Sequence, residues 1–408
     1  MQLEQKLKKV SACGMAAMLS ISCLPLQVWA SKEESVSDIL RGTEIVQVIP
    51  NTTSGGITPT VFSQTYESRL KPYWSRAVLP ESYDLREQGK STVVKNQTPW
   101  GACWAFGALS SLESNILSQG EGGSSVSSSP DYSELQLAWF VYERQSSEDL
   151  KDSPAGFGQI GEGEETAAED RLDAGGNMPQ AASYLAAWQG VAEEAEVPYQ
   201  NREGTLDPLG DWSPERDMRT SSSVHLQNAD FLPNPTVATE YDDYNVPTEN
   251  SEYVYDPMST EAIKEALMNT GVVSVAYYAD QSKPGETGDG TYFNYKNWCQ
   301  YVDVLNYSTM PNHAVSIVGW DDNYPKTNFN AQKQPEGDGA WLIKNSWGEG
   351  WGIDGSGYFW LSYYDRSIQQ ATSFQGSGVQ NYDYNYQYDY LGLASGIRLS
   401  PVSYTHLT

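Results

Sequence analysis

The run Asn96-Gln97-Thr98-Pro99-Trp100-Gly101-Ala102-Cys103-Trp104-Ala105-Phe106 constrains this chain more than any other part of it. It sets a lone thiol on a Gly-Ala turn, with a carboxamide six residues upstream and an aromatic wall behind. Downstream, Ala105, Leu109, Leu112 and Ile116 recur at helical spacing, and Pro99 suits a place just ahead of, or in, the first turn. The spacing predicts a helix over 99–117 with Cys103 near its N-terminus, where the macrodipole favours a thiolate. Nucleophilic thiol chemistry asks for this: a sulfur whose charged form is favoured, and a nearby donor for the oxyanion it creates. A single block of this kind is more often a buried structural cysteine, so the weight falls on what lies downstream.

Only three histidines are present, His225, His313 and His406. His313 opens Asn312-His313-Ala314-Val315-Ser316-Ile317-Val318-Gly319-Trp320, a histidine entering a β-branched apolar strand. A second apolar strand follows in Ala340-Trp341-Leu342-Ile343-Lys344-Asn345-Ser346-Trp347-Gly348. The Gly-Ala-Cys-Trp turn, the His strand and the Asn-Ser-Trp-Gly strand, in this order, resemble the papain family of cysteine proteases. The resemblance implies an α+β fold of two lobes, a helical left lobe carrying Cys103 and a barrel-like right lobe carrying His313 and Asn345. It implies an endopeptidase acting on peptide or protein substrates. Cys103 would attack the carbonyl, and His313 would stabilise the thiolate and then protonate the leaving amine. Asn345 would hold the imidazole in its productive tautomer, with Trp347 shielding that bond from water and counted with Gly175 and Gly176 among the substrate-binding residues. Gln97 and the Cys103 amide would form the oxyanion hole. Gly175-Gly176 resembles the family's Gly-Gly step, where the absence of side chains lets an extended substrate approach the backbone. No metal or cofactor is expected; the Asp321-Asp322-Asn323 run could hold calcium but lacks the EF-hand pattern. Two other readings use the same residues differently. An acyltransferase would pass the acyl group to an amine, and a non-catalytic surface adhesin would rely on the Tyr-rich tail and predicts a degraded site.

The spacing departs from the family. From Cys103 to His313 is 210 residues, and to Asn345 it is 242, against roughly 130–150 in relatives. Segments 120–173 and 200–258, rich in Ser, Gly, Pro and acid, account for most of the surplus, and 321–338 separates the His and Asn strands. Loops tolerate such growth because closure cost rises slowly with length. Further helices are expected over 132–142, 178–189 and 259–269, then strands over 272–278, 314–320, 339–345 and 357–363. Helices first and strands later is an α+β order.

The formal net charge of −28 over 408 residues argues against nucleic acid and anionic membranes as partners. Lys6, Lys8 and Lys9, an interrupted apolar stretch from Ala12 to Leu24, and Val28-Trp29-Ala30 read as a signal peptide over 1–30. The stretch is too short and broken for stable membrane insertion. Cys13 and Cys23 leave with it, so Cys103 and Cys299 remain; Trp100 stands where the family usually has a half-cystine beside the nucleophile, and no disulfide is expected. A secreted or cell-surface bacterial protein fits this thiol usage. Residues 31–78 read as a leader or short propeptide, 79–370 as the peptidase domain, and 371–400 as a linker plus the start of a lectin-like module, from the alternating Tyr/polar run at 380–391. Residues 401–408 read as adapter-derived sequence, which removes His406 from consideration. The residues leave the oligomeric state open.

Overall fold

A computed structural model describes residues 79–119, 129–143, 168–242, 246–248, 250–282 and 290–381. The expected signal peptide, the leader and the Tyr-rich tail lie outside these residues. The described elements are β1 (Ser82–Asp84), α1 (Cys103–Gln119), α2 (Glu134–Phe140), α3 (Met178–Ala186), β2 (Val224–Phe231), β3 (Thr236–Ala238), β4 (Tyr253–Tyr255) and α4 (Pro257–Asn269). Then follow β5 (Val273–Tyr277), β6 (Phe293–Asn294), β7 (Cys299–Gln300), β8 (His313–Asp321), β9 (Ala340–Lys344), β10 (Tyr358–Ser362) and β11 (Gln369–Gly378). Nine strands form one sheet in the order β2-β11-β5-β8-β9-β10-β7-β6, with β1 laid on β8.

The central strands are where the sequence puts them, because each is a continuous apolar run. Every residue of β5 and β9 is buried, as are the first eight of β8. Trp320, Trp341, Ile317, Ile343 and Phe359 fill one core on this sheet. Fully burying a side chain of this kind stabilises by about 1.5–3 kcal/mol, which lets a mostly antiparallel sheet carry the right lobe. β1 approaches β8 so closely that a Cβ on Gly319 would lie 2.3 Å from the Tyr83 carbonyl oxygen; only glycine fits there. A second core gathers Trp104, Phe106, Leu109, Leu135, Phe140, Met178 and Leu185 from α1, α2 and α3.

The helices begin where side chains can take up their free amides. Ser133 accepts from Gln136 N at α2, Asn177 from Gln180 N at α3, and Asp256 from Met258 N at α4. Pro99 does not open α1: Trp100 N turns back to the Gln97 carbonyl, and the helix starts at Cys103 itself. From Cys103 to Ile116 every residue of α1 is buried, so the helix runs between the lobes instead of over a surface. Its polar residues serve backbone on the sheet side. Ser111 Oγ donates to Val272 O (2.6 Å) and accepts from Phe374 N (3.0 Å). Asn115 Nδ2 donates to Thr270 O, and its Oδ1 accepts from Gly376 N.

Two expectations need correction. Segment 200–258 is not merely a loop excursion, since β2 within it pairs with β11 across the main sheet. The sheet also continues past residue 370, the boundary read from the sequence, to Gly378. β11 is Gln-Gln-Ala-Thr-Ser-Phe-Gln-Gly-Ser-Gly, a polar strand paired with β2 and β5 and capped by hydrogen bonds to α1 side chains, so hydropathy hides it. The Asp321-Asp322-Asn323 run is committed internally as well. Asp321 Oδ1 accepts from Asn323 N, and Asp322 takes both Lys264 Nζ and the Tyr363 hydroxyl.

Candidate active site

Antiparallel pairing of β8 with β9 puts the start of one beside the end of the other. His313, the first residue of β8, therefore meets Asn345, the first residue past β9. His313 Nε2 and Asn345 Oδ1 are 2.8 Å apart. Asn345 Oδ1 also accepts from Ser346 N at 2.8 Å. Two donors on one oxygen fix which end of the amide faces the ring, so Nε2 carries the hydrogen and Nδ1 is left bare. Trp347 stacks on the imidazole with centroids 4.8 Å apart.

Cys103 comes from the other lobe. α1 packs on β8, and Ala314 N, the amide next to His313, donates to Cys103 Sγ at 3.3 Å. The amides of Trp104 and of Cys103 itself also favour charge on the sulfur. Burial outweighs them: the thiol has no exposed surface and is pushed up to about 12. Burial likewise drives His313 down to about 4, against the bond to Asn345. Each group alone thus prefers its uncharged form. Moving one proton from Sγ to Nδ1 leaves the pair's net charge unchanged and places the negative end near two amides at a helix start and one on β8.

Gln97 is stitched to the Asn345 loop. Its backbone N donates to Ser346 O (2.8 Å), its Oε1 accepts from Ser346 Oγ (2.7 Å), and its Nε2 donates to Trp100 O (2.9 Å). The Tyr199 hydroxyl donates to Gln97 O at 2.7 Å. Asn96 bridges to Trp347 and Gly348 N reaches Lys95 O, so the turn before Cys103 runs as a short ladder beside the loop after Asn345. Gly175 and Gly176 are buried. The Gly175 carbonyl accepts from Tyr142 OH, and a Cβ on Gly176 would strike the Trp104 indole at 2.3 Å. The Gly-Gly step thus packs directly behind the residue following the thiol.

Several residues around this set have no signal in the sequence. Asp173 Oδ1 accepts from Gly101 N at 3.1 Å, across 72 residues, and so ties down the turn that carries Cys103. Beside it, Trp100 meets Trp212 edge-on at 5.6 Å, Trp212 meets Tyr199 at 5.5 Å, and Tyr199 meets Phe106 at 4.9 Å. Neither Cys103 nor Cys299 is in a disulfide. We expect Asp173→Ala to cost about 1–3 kcal/mol of stability from a lost charge-assisted bond and to lower kcat, while Asp173→Asn, which keeps an acceptor, recovers most of both. Thermal melts and initial rates on the three proteins check this; equal rates in all three would mean that the turn holds without Asp173.

Behind the site lies a buried ionic cluster. Lys95 Nζ contacts Glu113 (2.9 Å), Glu134 (2.8 Å) and Asp131 (2.7 Å). Thr92 links Glu113 to Lys344, the residue before Asn345. The cluster borders a small cavity that reaches Ser110, Asn345 and Ser346. Burial pushes Glu134 up to about 8 and Lys344 down to about 8. Ser110 Oγ and Glu134 Oε2 are buried without protein partners, and both belong to residues lining the cavity.

Comparison with known proteins gives the family and the fold. Cathepsin S of Bos taurus is 28% identical over 306 residues, covering 72% of this chain and 67% of that protein. The viral cathepsin of Heliothis zea nuclear polyhedrosis virus is 27% identical over 285 residues, covering 68% of this chain and 51% of its own length. The chain thus spans about half to two thirds of the length of these relatives. A structure of the clostridial cysteine protease Cwp84 after propeptide cleavage superposes with a TM-score of 0.53 at 26% identity, covering 76% of this chain and 62% of that one. A structure of the protease and lectin-like domains of Cwp84, a surface layer associated protein of Clostridium difficile, gives 0.55 at 23% identity, with 88% and 62% covered, and shows the shared fold. The sequence model of the papain family cysteine proteases matches residues 79–133 and 169–375, the span that holds Cys103, His313, Asn345 and Gln97, and the chain belongs to that family.

Proposed function

We propose that this chain hydrolyses peptide bonds through a thioester on Cys103. One observation carries the reading: the amide beside His313 donates to the Cys103 sulfur while His313 Nε2 is held by Asn345. Nδ1 is then the nitrogen left to exchange a proton with the sulfur. Cys103 gives its proton to Nδ1, and the thiolate attacks the scissile carbonyl carbon. The oxyanion is received by the Cys103 amide and the remaining Gln97 Nε2 hydrogen. As the tetrahedral adduct collapses, the C–N bond breaks and the imidazolium returns its proton to the leaving amine. Water, deprotonated by His313, attacks the thioester; the acid departs and the thiol is restored. Asn345 orients the ring throughout, and Gly175 and Gly176 would offer their backbone to an extended acyl half.

The domain map belongs to the same proposal. Residues 1–30 act as a signal peptide and 31–78 as a leader or short propeptide; a relative solved after propeptide cleavage supports the latter. The described domain is followed by the start of a lectin-like module, with 401–408 adapter-derived. A secreted or surface bacterial protease fits, as the name of the matching surface layer associated protein supports. Among the described residues no helix is long and apolar enough to cross a membrane. Treating the full chain with a thiol-directed epoxide and mapping the adduct by mass spectrometry tests the core of the reading. Labelling of Cys103 with matching loss of hydrolysis is expected. Cys299 sits in β7 with Sγ donating to Asn328 O and the Tyr324 hydroxyl beside it; labelling there alone would sink the assignment.

A further inference from the structure

The two segments that lengthen this chain, 120–173 and 200–258, meet at a buried ionic triad. Glu143, just past the end of α2, lies between two guanidinium groups. Arg171 Nη1 donates to Glu143 Oε1 at 3.3 Å. Arg219 donates through Nη2 to Glu143 Oε2 and through Nη1 to the Glu143 carbonyl oxygen at 3.2 Å. Arg171 lies over the Trp139 ring at 5.0 Å and Arg219 over the Phe140 ring at 5.2 Å, so α2 supplies both ring faces. All three charged residues are buried.

The triad grips the chain on the way to the catalytic turn. Arg171 belongs to the short 3-10 helix Ala168–Asp173, whose last residue accepts from Gly101 N at 3.1 Å. On the far side of Asp173, Tyr142 OH donates to Gly175 O at 2.8 Å. Consecutive residues, Tyr142 and Glu143, thus anchor the backbone on either side of Asp173. The Arg219 end is fixed too: Gln136 Nε2 donates to Met218 O and Ser221 O, and Gln136 Oε1 accepts from Ala192 N. Gly101 in turn stands between Trp100, whose carbonyl accepts from Gln97 Nε2, and Cys103. Gln97 Nε2 and the Cys103 amide are the two donors assigned above to the oxyanion.

Stability alone is a poor reason for such a triad. Taking three charges out of water costs about as much as their attraction returns, and apolar groups of similar size often hold a fold equally well. Direction is what the charges add, because a planar guanidinium meets a carboxylate in few geometries. We propose that Glu143, Arg171 and Arg219 are positioning residues for the oxyanion hole, fixing Asp173 so that it holds the Gly101 amide and, through it, the Gln97–Cys103 turn. The inference rests on the Cys103–His313 reading.

The test replaces the whole triad in the full chain with Glu143→Leu, Arg171→Met and Arg219→Met, which removes the charges together and leaves none buried alone. Its melting temperature should lie near or above that of the wild type. Its kcat per folded molecule is expected to fall about tenfold, as a misplaced donor far from the substitution would cause. KM should change less than about threefold, because Gly175 keeps its bond from Tyr142. Alkylation of Cys103 by iodoacetamide expels iodide and builds no oxyanion, so its rate should stay within about twofold of wild type. In an Asp173→Ala background the same three substitutions should lower kcat by less than about twofold, since the link they act through is already gone.

Unchanged kcat per folded molecule in the apolar-triad protein overturns the proposal. So does a full loss repeated in the Asp173→Ala background, or a fall in alkylation as large as the fall in kcat. Should the apolar triad fail to fold, Glu143→Gln is carried through the same measurements and judged by the same outcomes. Failure of both to fold makes the triad a requirement of the fold and overturns it too. A wild type that hydrolyses peptides beside an unaffected triad variant leaves the peptidase reading standing, and a wild type that hydrolyses none removes both.

Discussion

Replacing Cys103 with alanine is expected to lower peptide hydrolysis by on the order of 10⁵–10⁶-fold, the scale set by deleting the nucleophile from a coupled catalytic set. At ~1.36 kcal/mol per decade this is far more than any packing change at one position could remove from a barrier. The fold should survive. Sγ receives one hydrogen bond at 3.3 Å from Ala314 N, and alanine retains the Cβ that α1 packs around. Leaving that amide without an acceptor costs about 1–3 kcal/mol. Cys299→Ala is the matched control, since it removes a buried thiol of the same size in β7, away from His313. It should lose stability and keep turnover per folded molecule. Rates normalised to folded fraction, read from the melting curves, separate the two cases. A Cys103→Ala protein with near-normal turnover would mean that another group attacks the carbonyl.

The strands that frame the site were readable because nothing local competes with them. β5, β8, β9 and β10 fall within one residue of their expected limits, each a run of apolar residues with both faces covered. β2 and β11 were not readable. Buried positions on β11 are Gln370, Ala371, Thr372, Ser373, Phe374, Gly376 and Gly378, and Ser111 and Asn115 of a helix more than 250 residues earlier accept from its backbone. No window of sequence contains that pairing. The same division runs through the site. Cys103, His313, Asn345 and Gln97 sit in local motifs whose chemistry is plain from residue type and order. Asp173 is one carboxylate in an acidic segment until the chain brings it to Gly101. Lys95, Glu113 and Lys344 are likewise ordinary charges in sequence, and only the meeting of the lobes buries them together.

His313→Ala should expose how far the protein environment, left to itself, opposes a thiolate at Cys103. On the proposed mechanism the sulfur can pass its proton to the His313 imidazole as it reacts, so alkylation by iodoacetamide is expected to proceed near neutral pH. Without the imidazole the thiolate must form as a lone buried charge, and burial places that ionisation well above the ordinary thiol range, up to about 12. Raising an acid's pKa lowers its charged fraction at pH 7 by about tenfold per unit. Water entering the vacated volume will restore part of this. The expected result is alkylation roughly 10- to 1000-fold slower than for an exposed thiol at pH 7, with the midpoint moved upward beyond about 9. Asn345→Ala keeps the base and loses only its orientation, so its midpoint should stay near the wild-type value while turnover falls less than in His313→Ala, where proton transfer worth about 10²–10⁴-fold is gone. Stability carries a second signature. His313 resists protonation in the folded state down to about 4, whereas an unfolded histidine takes its proton below about 6.5. Between those values the unfolded chain binds more protons, so wild-type stability falls as pH drops, by up to about 1.4 kcal/mol per unit from this group. His313→Ala should flatten that part of the melting-temperature profile. A variant thiol that titrates at an ordinary 8–9, with the acid slope unchanged, would show that His313 neither serves the sulfur nor stays neutral in the fold.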